Sequence, residues 1–258
     1  MNITTILLIP LVGTIVGAST VLFARHSPSQ RLHTSLLGFA AGVMVAASVW
    51  SLIIPSIELS AHLDRLSWLP AAVGFILGIL FLLLLDTFVP HQHLSSDTAE
   101  GPKSKLGRRQ KLMLAVTLHN IPEGMAVGAV VAGALTGDAG ITLTSAAALA
   151  LGMAIQNIPE GAIIALPLRS EGMSRGRAFG NGILSGIVEP IAAVLMVLLY
   201  EYISPTLPYL LAFSAGAMIY VVVEELIPET QHGKHSNIGT IAFALGFVIM
   251  MILDVALG

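Results

Sequence analysis

Apolar residues in this chain fall in long, nearly unbroken stretches. They neither alternate nor recur on one helical face. A helix needs about 20 mostly apolar residues to cross a bilayer. Eight stretches meet that length: Ile3–Phe23, Thr34–Ile57, Leu69–Val89, Leu112–Leu135, Ile141–Leu168, Ala178–Tyr200, Leu207–Ile227 and Ile238–Leu257. In lipid each backbone N–H and C=O must be satisfied within its own segment, so every stretch is a predicted helix. The first begins without a basic segment or a small-residue cleavage site, so it reads as a span and not as a removed signal peptide. The pattern predicts an all-α membrane protein, one transmembrane domain over residues 1–258 with eight transmembrane helices.

Between the third and fourth stretches lies the one long polar segment, about residues 90–110, expected to be a flexible loop. Eleven of the twelve Lys and Arg residues fall in loops 1–2, 3–4, 5–6 and 7–8, and Arg65 alone falls in loop 2–3. By the positive-inside rule the basic loops face the cytoplasm and both termini face outward, in a plasma (bacterial inner) membrane.

Charged residues are only 10% of the chain, where a soluble domain carries about 25%. That excludes an aqueous enzyme, and lipid is the main solvent. A net charge of −3 argues against a nucleic-acid partner. With no Cys, any metal site must use His, carboxylates, amides or Met.

Two repeats stand out. Span 2 reads Phe39-Ala-Ala-Gly-Val-Met44, and span 7 reads Phe213-Ser-Ala-Gly-Ala-Met218, an offset of 174. Phe75, Gly78 and Asp86 of span 3 match Phe243, Gly246 and Asp254 of span 8, an offset of 168. The two pairs are five spans apart, so they insert with opposite polarity, an inverted repeat of the kind found in secondary transporters. The second repeat is tighter. His119-Asn-Ile-Pro-Glu-Gly124 and Gln156-Asn-Ile-Pro-Glu-Gly161 share five of six residues, 37 positions apart.

Glu123, Glu160 and Glu189 all lie mid-span with no Lys or Arg at comparable depth. Each unpaired carboxylate there costs on the order of 2.5–3.5 kcal/mol, so the cluster calls for protons or an external cation. His119 and Glu123 share a helix face at i, i+4, and Gln156 and Glu160 repeat that geometry. Pro122 and Pro159 disturb the backbone bonding beside them. Together with Asn120 and Asn157 the set offers N and O ligands suited to Zn²⁺ and tolerant of Fe²⁺, Mn²⁺ or Cd²⁺. A kink-forming Pro or a gluing Asn explains either motif alone, but not the duplication together with Glu189.

The paired motif, the eight spans and a His-bearing loop 3–4 (His91, His93) resemble the ZIP family of divalent metal transporters. Gln156-Asn157, together with Glu189-Pro190, is similar to its bacterial GufA-type subgroup. The resemblance implies a 3+2+3 helix bundle. It also implies a midplane binuclear site, one position formed by His119, Glu123, Gln156 and Glu160, the other by Asn120, Glu123, Asn157, Glu160 and Glu189. Met44 and Ser51 match pathway positions on span 2. Divalent metal, most of all Zn²⁺, is then the substrate, moved into the cytoplasm by alternating access, with two adjacent ions and no organic cofactor. Spans 1, 4, 5 and 6 are expected to move against a frame of spans 2, 3, 7 and 8, and a homodimer stays open. The rival classes are an intramembrane metalloenzyme, disfavoured by the lack of His-Glu-x-x-His, and a metal-sensing membrane scaffold. Glu224, Glu225, Asp86 and Asp254 sit near span ends; solvation is the expected reading for the two aspartates, and an inner-mouth site or solvation for Glu224 and Glu225.

Overall fold

The computed structural model describes residues 2–24, 29–89, 102, 107–137, 141–170, 172–231 and 236–257. Among these there is no strand, and eight long helices carry the fold. They are α1 (Ile3–Phe23), α2 (Gln30–Leu59), α3 (Trp68–Phe88), α4 (Arg108–Thr136), α5 (Leu143–Ser170), α6 (Arg175–Leu198), α7 (Leu207–Thr230) and α8 (Ile238–Leu257). All except α4 are long and apolar enough to cross a membrane. α4 has 29 residues, about 43 Å of helix, but its basic first turn and the His119–Glu123 motif dilute its apolar character. Most of the segment 90–110, with His91 and His93, lies outside the described residues.

Local chemistry sets the helix ends. The Asn2 side chain caps α1 by accepting from the Thr5 N–H at 2.8 Å. Ser29 and Ser174 cap α2 and α6 in the same way. α4 stops at Gly137, whose φ of 73° is the left-handed conformation that a glycine adopts without a Cβ penalty. α6 is broken at Ile187, between Arg175–Gly186 and Val188–Leu198. Pro190 lacks the N–H that would bond the Gly186 carbonyl, which accounts for the break.

α2 and α7 each contain a widened π-turn, at Ser48–Ile53 and Val222–Leu226. Their starts are separated by the same offset of 174 that relates the two sequences. A proline, Pro55 or Pro228, follows each within two residues, so a missing donor loosens both helices at matching places.

α2 packs along α8, and α3 along α7. The contacts are reciprocal glycine crossings. Gly42 lies on the Phe243 carbonyl and Gly246 on that of Phe39, while Gly78 lies on the Phe213 carbonyl and Gly216 on that of Phe75. Without a hydrophobic drive between helices in lipid, such close backbone approach supplies the association energy. Two hydrogen bonds pin the same pairs. Ser51 Oγ donates to Asp254 Oδ1 across α2 and α8, and Tyr220 Oη donates to Asp86 Oδ2 across α7 and α3, both at 2.5 Å. Asp86 and Asp254 are therefore half-buried joints between helices, not the solvated helix ends that their sequence positions suggested.

The remaining helices pack among themselves: α1 along α5 and α6, and α4 along α6. An apolar core, including Leu37, Met44, Leu149, Met153, Leu211 and Met250, lies where the two sets meet.

Gly42→Val should destabilise the protein by about 1–3 kcal/mol, because the added atoms meet a backbone carbonyl that cannot rotate away. Gly176→Ala, with open space around it, should change stability by less than about 0.5 kcal/mol. Thermal unfolding in detergent distinguishes the two; equal midpoints would contradict the crossing.

Candidate metal centre

Glycines bring the polar residues into reach. Gly13 and Gly17 of α1 rest on the backbone of Ala154 and Ile158 in α5, and Gly161 of α5 rests on Thr14. Gly124 and Gly128 of α4 rest on the backbone of Glu189 and Ala193 in α6. In each case a Cβ would collide with main-chain atoms, so the duplicated motif's terminal glycine is a packing requirement at both copies.

At these separations the side-chain amides of α4 and α5 bridge to the carboxylates. Gln156 Nε2 donates to Glu123 Oε1 at 2.7 Å and to Asn157 Oδ1 at 2.9 Å. Asn157 Nδ2 donates to Glu189 Oε2 at 2.7 Å and to the Pro10 carbonyl at 3.1 Å. Asn120 Nδ2 donates to Glu189 Oε1 at 3.2 Å and to the Ser185 carbonyl at 3.1 Å, and Thr14 Oγ1 reaches the same Glu189 oxygen at 3.5 Å. Five predicted ligands (Asn120, Glu123, Gln156, Asn157 and Glu189) thus form one buried network. Thr14 and the Pro10 carbonyl of α1 complete it, and no sequence motif marks either.

Beside the network is a cavity of about 40 Å³, lined by His119, Asn120, Glu123, Glu160 and Glu225 against apolar residues of α2 and α7. A single water-sized occupant takes about 30 Å³. His119 Nδ1 lies 3.3 Å from Glu225 Oε2. Glu225 is half-buried and stands inside the α7 π-turn, while its neighbour Glu224 is exposed. Of the two readings open for Glu225, the solvated end is therefore the weaker.

Among the described residues, the buried acceptor oxygens Asn120 Oδ1, Glu123 Oε2 and Gln156 Oε1 have no hydrogen-bond partner. An unmade hydrogen bond at a buried acceptor costs about 1–3 kcal/mol, more for a charged group. Oxygens of this kind are the donor set of a hard or borderline cation. The imidazole and carboxylates meet in pairs or through amides, and no three His, Asp or Glu side chains among the described residues converge on one point.

Met44 and Ser51 lie apart from this group. Met44 is fully buried in the apolar core. Ser51, bonded to Asp254, lines a different cavity of about 140 Å³ with Glu58 and Ser145.

Residues 91–254 match the ZIP zinc transporter family. The chain is 40% identical to zinc transporter ZIPB of Bordetella bronchiseptica, over 95% of this chain and 78% of that one. It is 36% identical to zinc transporter GufA of Myxococcus xanthus, over 96% of both chains, and 36% identical to zinc transporter ZIP11 of Homo sapiens, over 95% and 94%.

Asn157→Leu removes the shortest donor to Glu189 and the donor to the Pro10 carbonyl. The metal-free protein should lose about 1–3 kcal/mol of stability. An unchanged melting temperature in chelator would mean that this network does not hold α1, α5 and α6 together.

Proposed function

The chain belongs to the ZIP zinc transporter family, and on that premise we propose that it carries divalent metal, zinc foremost, into the cytoplasm through the buried cluster on α4, α5 and α6. The observation that carries this reading is the pairing of Glu123, Glu160 and Glu189 with unpartnered amide and carboxylate oxygens. No Lys or Arg among the described residues forms an ion pair with those three glutamates. α4 also crosses the membrane, which brings the spans to eight; the basic loops face the cytoplasm, and both termini face outward.

Two ions share the site. His119, Glu123, Gln156 and Glu160 hold one, and Asn120, Glu123, Asn157, Glu160 and Glu189 hold the other, with Glu123 and Glu160 between them. Loading exchanges amide hydrogen bonds for metal bonds, so Gln156 and Asn157 turn their oxygens inward. Such a rotation exchanges one set of partners for another without baring a charge.

The transport step is an inverted-repeat frame of α2, α3, α7 and α8 against a mobile unit of α1, α4, α5 and α6. The internal packing of each set supports that division, and so does the cavity lying at their junction. Ser51 and Met44 then belong to the frame side of the path.

Purified protein in liposomes should carry Zn²⁺ or Cd²⁺ down a gradient. Glu123→Ala and Glu160→Ala should abolish flux, and Glu189→Ala should reduce it less. Wild-type flux in either of the first two would remove those residues from the path.

Protons compete with metal for His119 and the carboxylates, so lower pH weakens binding. Affinity should fall between about pH 7 and pH 5, around the ordinary His value of about 6.5. Isothermal titration across that window is the check, and a flat profile counts against imidazole and carboxylate ligation.

The chain lacks Cys, so paired cysteines between α2 and α5 report motion cleanly. Metal should change which pair crosslinks, and a fully crosslinked protein that still transports at the wild-type rate would exclude sliding of the two units.

A further inference from the structure

α4 and α6 touch closely at Gly124 and Gly128 and then diverge toward their amino ends. Between the diverging ends is an open groove of about 620 Å³, within the roughly 300–1,000 Å³ of small-molecule sites. Its floor is apolar, with Leu184, Ile187 and Ile191 of α6 along one wall and Met113 of α4 on the other. Leu184 and Ile191 are more than half exposed in a helix that crosses the membrane, so hydrocarbon is the medium that meets them.

One end of the groove is different. Gln110 and Asn181 line it in the first turn of α4 and the second turn of α6. Lys111 follows Gln110, and the carbonyl of Arg177, one turn below, accepts from Asn181 Nδ2 at 2.9 Å. Arg169 Nη1 donates at 3.0 Å to the carbonyl of Met173, which lines the same end. Lys111 adjoins the lining residue Gln110, Arg177 lies one turn before the lining residue Asn181, and Arg169 holds the carbonyl of the lining residue Met173, so all three basic residues flank the polar end of the slot. Neither Arg177 nor Lys111 has an acidic partner among the described residues, and both belong to the basic side of the chain. A basic cluster at the end of a membrane-facing groove complements a negative headgroup with an acyl chain attached, and a neutral lipid would leave it unanswered.

We propose that an anionic phospholipid binds between α4 and α6, its phosphate at Lys111, Arg169 and Arg177 and one acyl chain along Leu184, Ile187 and Ile191. The site has a direct route to the metal cluster. Ile187 and Val188 form the groove wall at the break in α6, and the next residue, Glu189, turns inward to accept from Asn120 and Asn157. A lipid in the groove braces that break and holds Glu189 toward its partners. This inference goes beyond the transport reading and stands or falls separately from it.

The test is fluorescence quenching by brominated lipid. Leu184→Trp is placed in a Trp50→Phe, Trp68→Phe background, so that the single tryptophan faces the groove. Ile76→Trp in the same background reports a lipid-facing position on α3, away from the groove. Vesicles hold equal parts phosphatidylcholine and phosphatidylglycerol, with one or the other brominated.

At position 184 brominated phosphatidylglycerol should quench more strongly than brominated phosphatidylcholine, and at position 76 the two should quench alike. Each basic side chain near an anionic lipid favours it by roughly fivefold. Lys111→Gln with Arg177→Gln should therefore lower the preference at 184 by roughly 25-fold, toward that at 76, with only Arg169's share remaining. Native mass spectrometry of the wild-type fold should show one retained phosphatidylglycerol, and the double variant should lose it, which covers the case where the tryptophan variant does not fold. Equal quenching at 184 by both lipids, or equal lipid retention by wild type and double variant, would overturn the proposal whether or not the protein carries zinc.

Discussion

The structure turns on one constraint: carboxylates placed inside an apolar bundle must find donors there. Glu123 and Glu189 are fully buried, so their partners come chiefly from the protein itself. Their partners are the amides of Asn120, Gln156 and Asn157, delivered by two helices that carry the same motif. Amides suit this role because each holds both a donor and an acceptor. They can satisfy a carboxylate in one orientation and offer oxygen to a cation in the other. A Lys or Arg in their place would neutralise the glutamates permanently.

That arrangement needs helix axes closer than bulky side chains allow. The glycines at 13, 17, 124, 128 and 161 supply the approach, each against a backbone and not against a rotatable side chain. Packing and chemistry are therefore the same requirement in α1, α4, α5 and α6. In α2, α3, α7 and α8 the glycines do a different task. They lock two helix pairs by reciprocal contact with Phe39, Phe75, Phe213 and Phe243, and the Ser51–Asp254 and Tyr220–Asp86 bonds pin those pairs again. One set of helices is thus organised around buried charge and the other around its own crossings.

The π-turns connect the two. Each is a place where a following proline leaves a helix short of a donor, and each presents a polar side chain sideways: Ser51 in α2 and Glu225 in α7. Ser51 turns to Asp254 within the α2–α8 pair, whereas Glu225 turns to His119 of α4. Equivalent positions of a repeat have acquired different partners because the neighbouring surfaces differ.

Membrane residence, the helical class and the duplicated Asn-Ile-Pro-Glu-Gly motif were all written in the sequence. Lipid forces every apolar stretch to close its own hydrogen bonds, and a buried carboxylate is too costly to occur twice in one motif by accident. The glycine and phenylalanine landmarks of the repeat also mark the contacts that the folded chain makes. Other features depended on separations between helices, which no local pattern encodes. Thr14 and the Pro10 carbonyl of α1 complete the network although nothing near them in sequence resembles a ligand. Asp86 and Asp254 look like wet helix ends until Tyr220 and Ser51, far along the chain, arrive beside them. Glu225 stood between two readings until the turn of α7 set it against His119. A stretch of chain fixes its own helix because helical hydrogen bonds are local. Which side chains share a buried site is decided by the packing of helices that are distant in sequence, where a shift of a few ångströms separates a hydrogen bond from no contact.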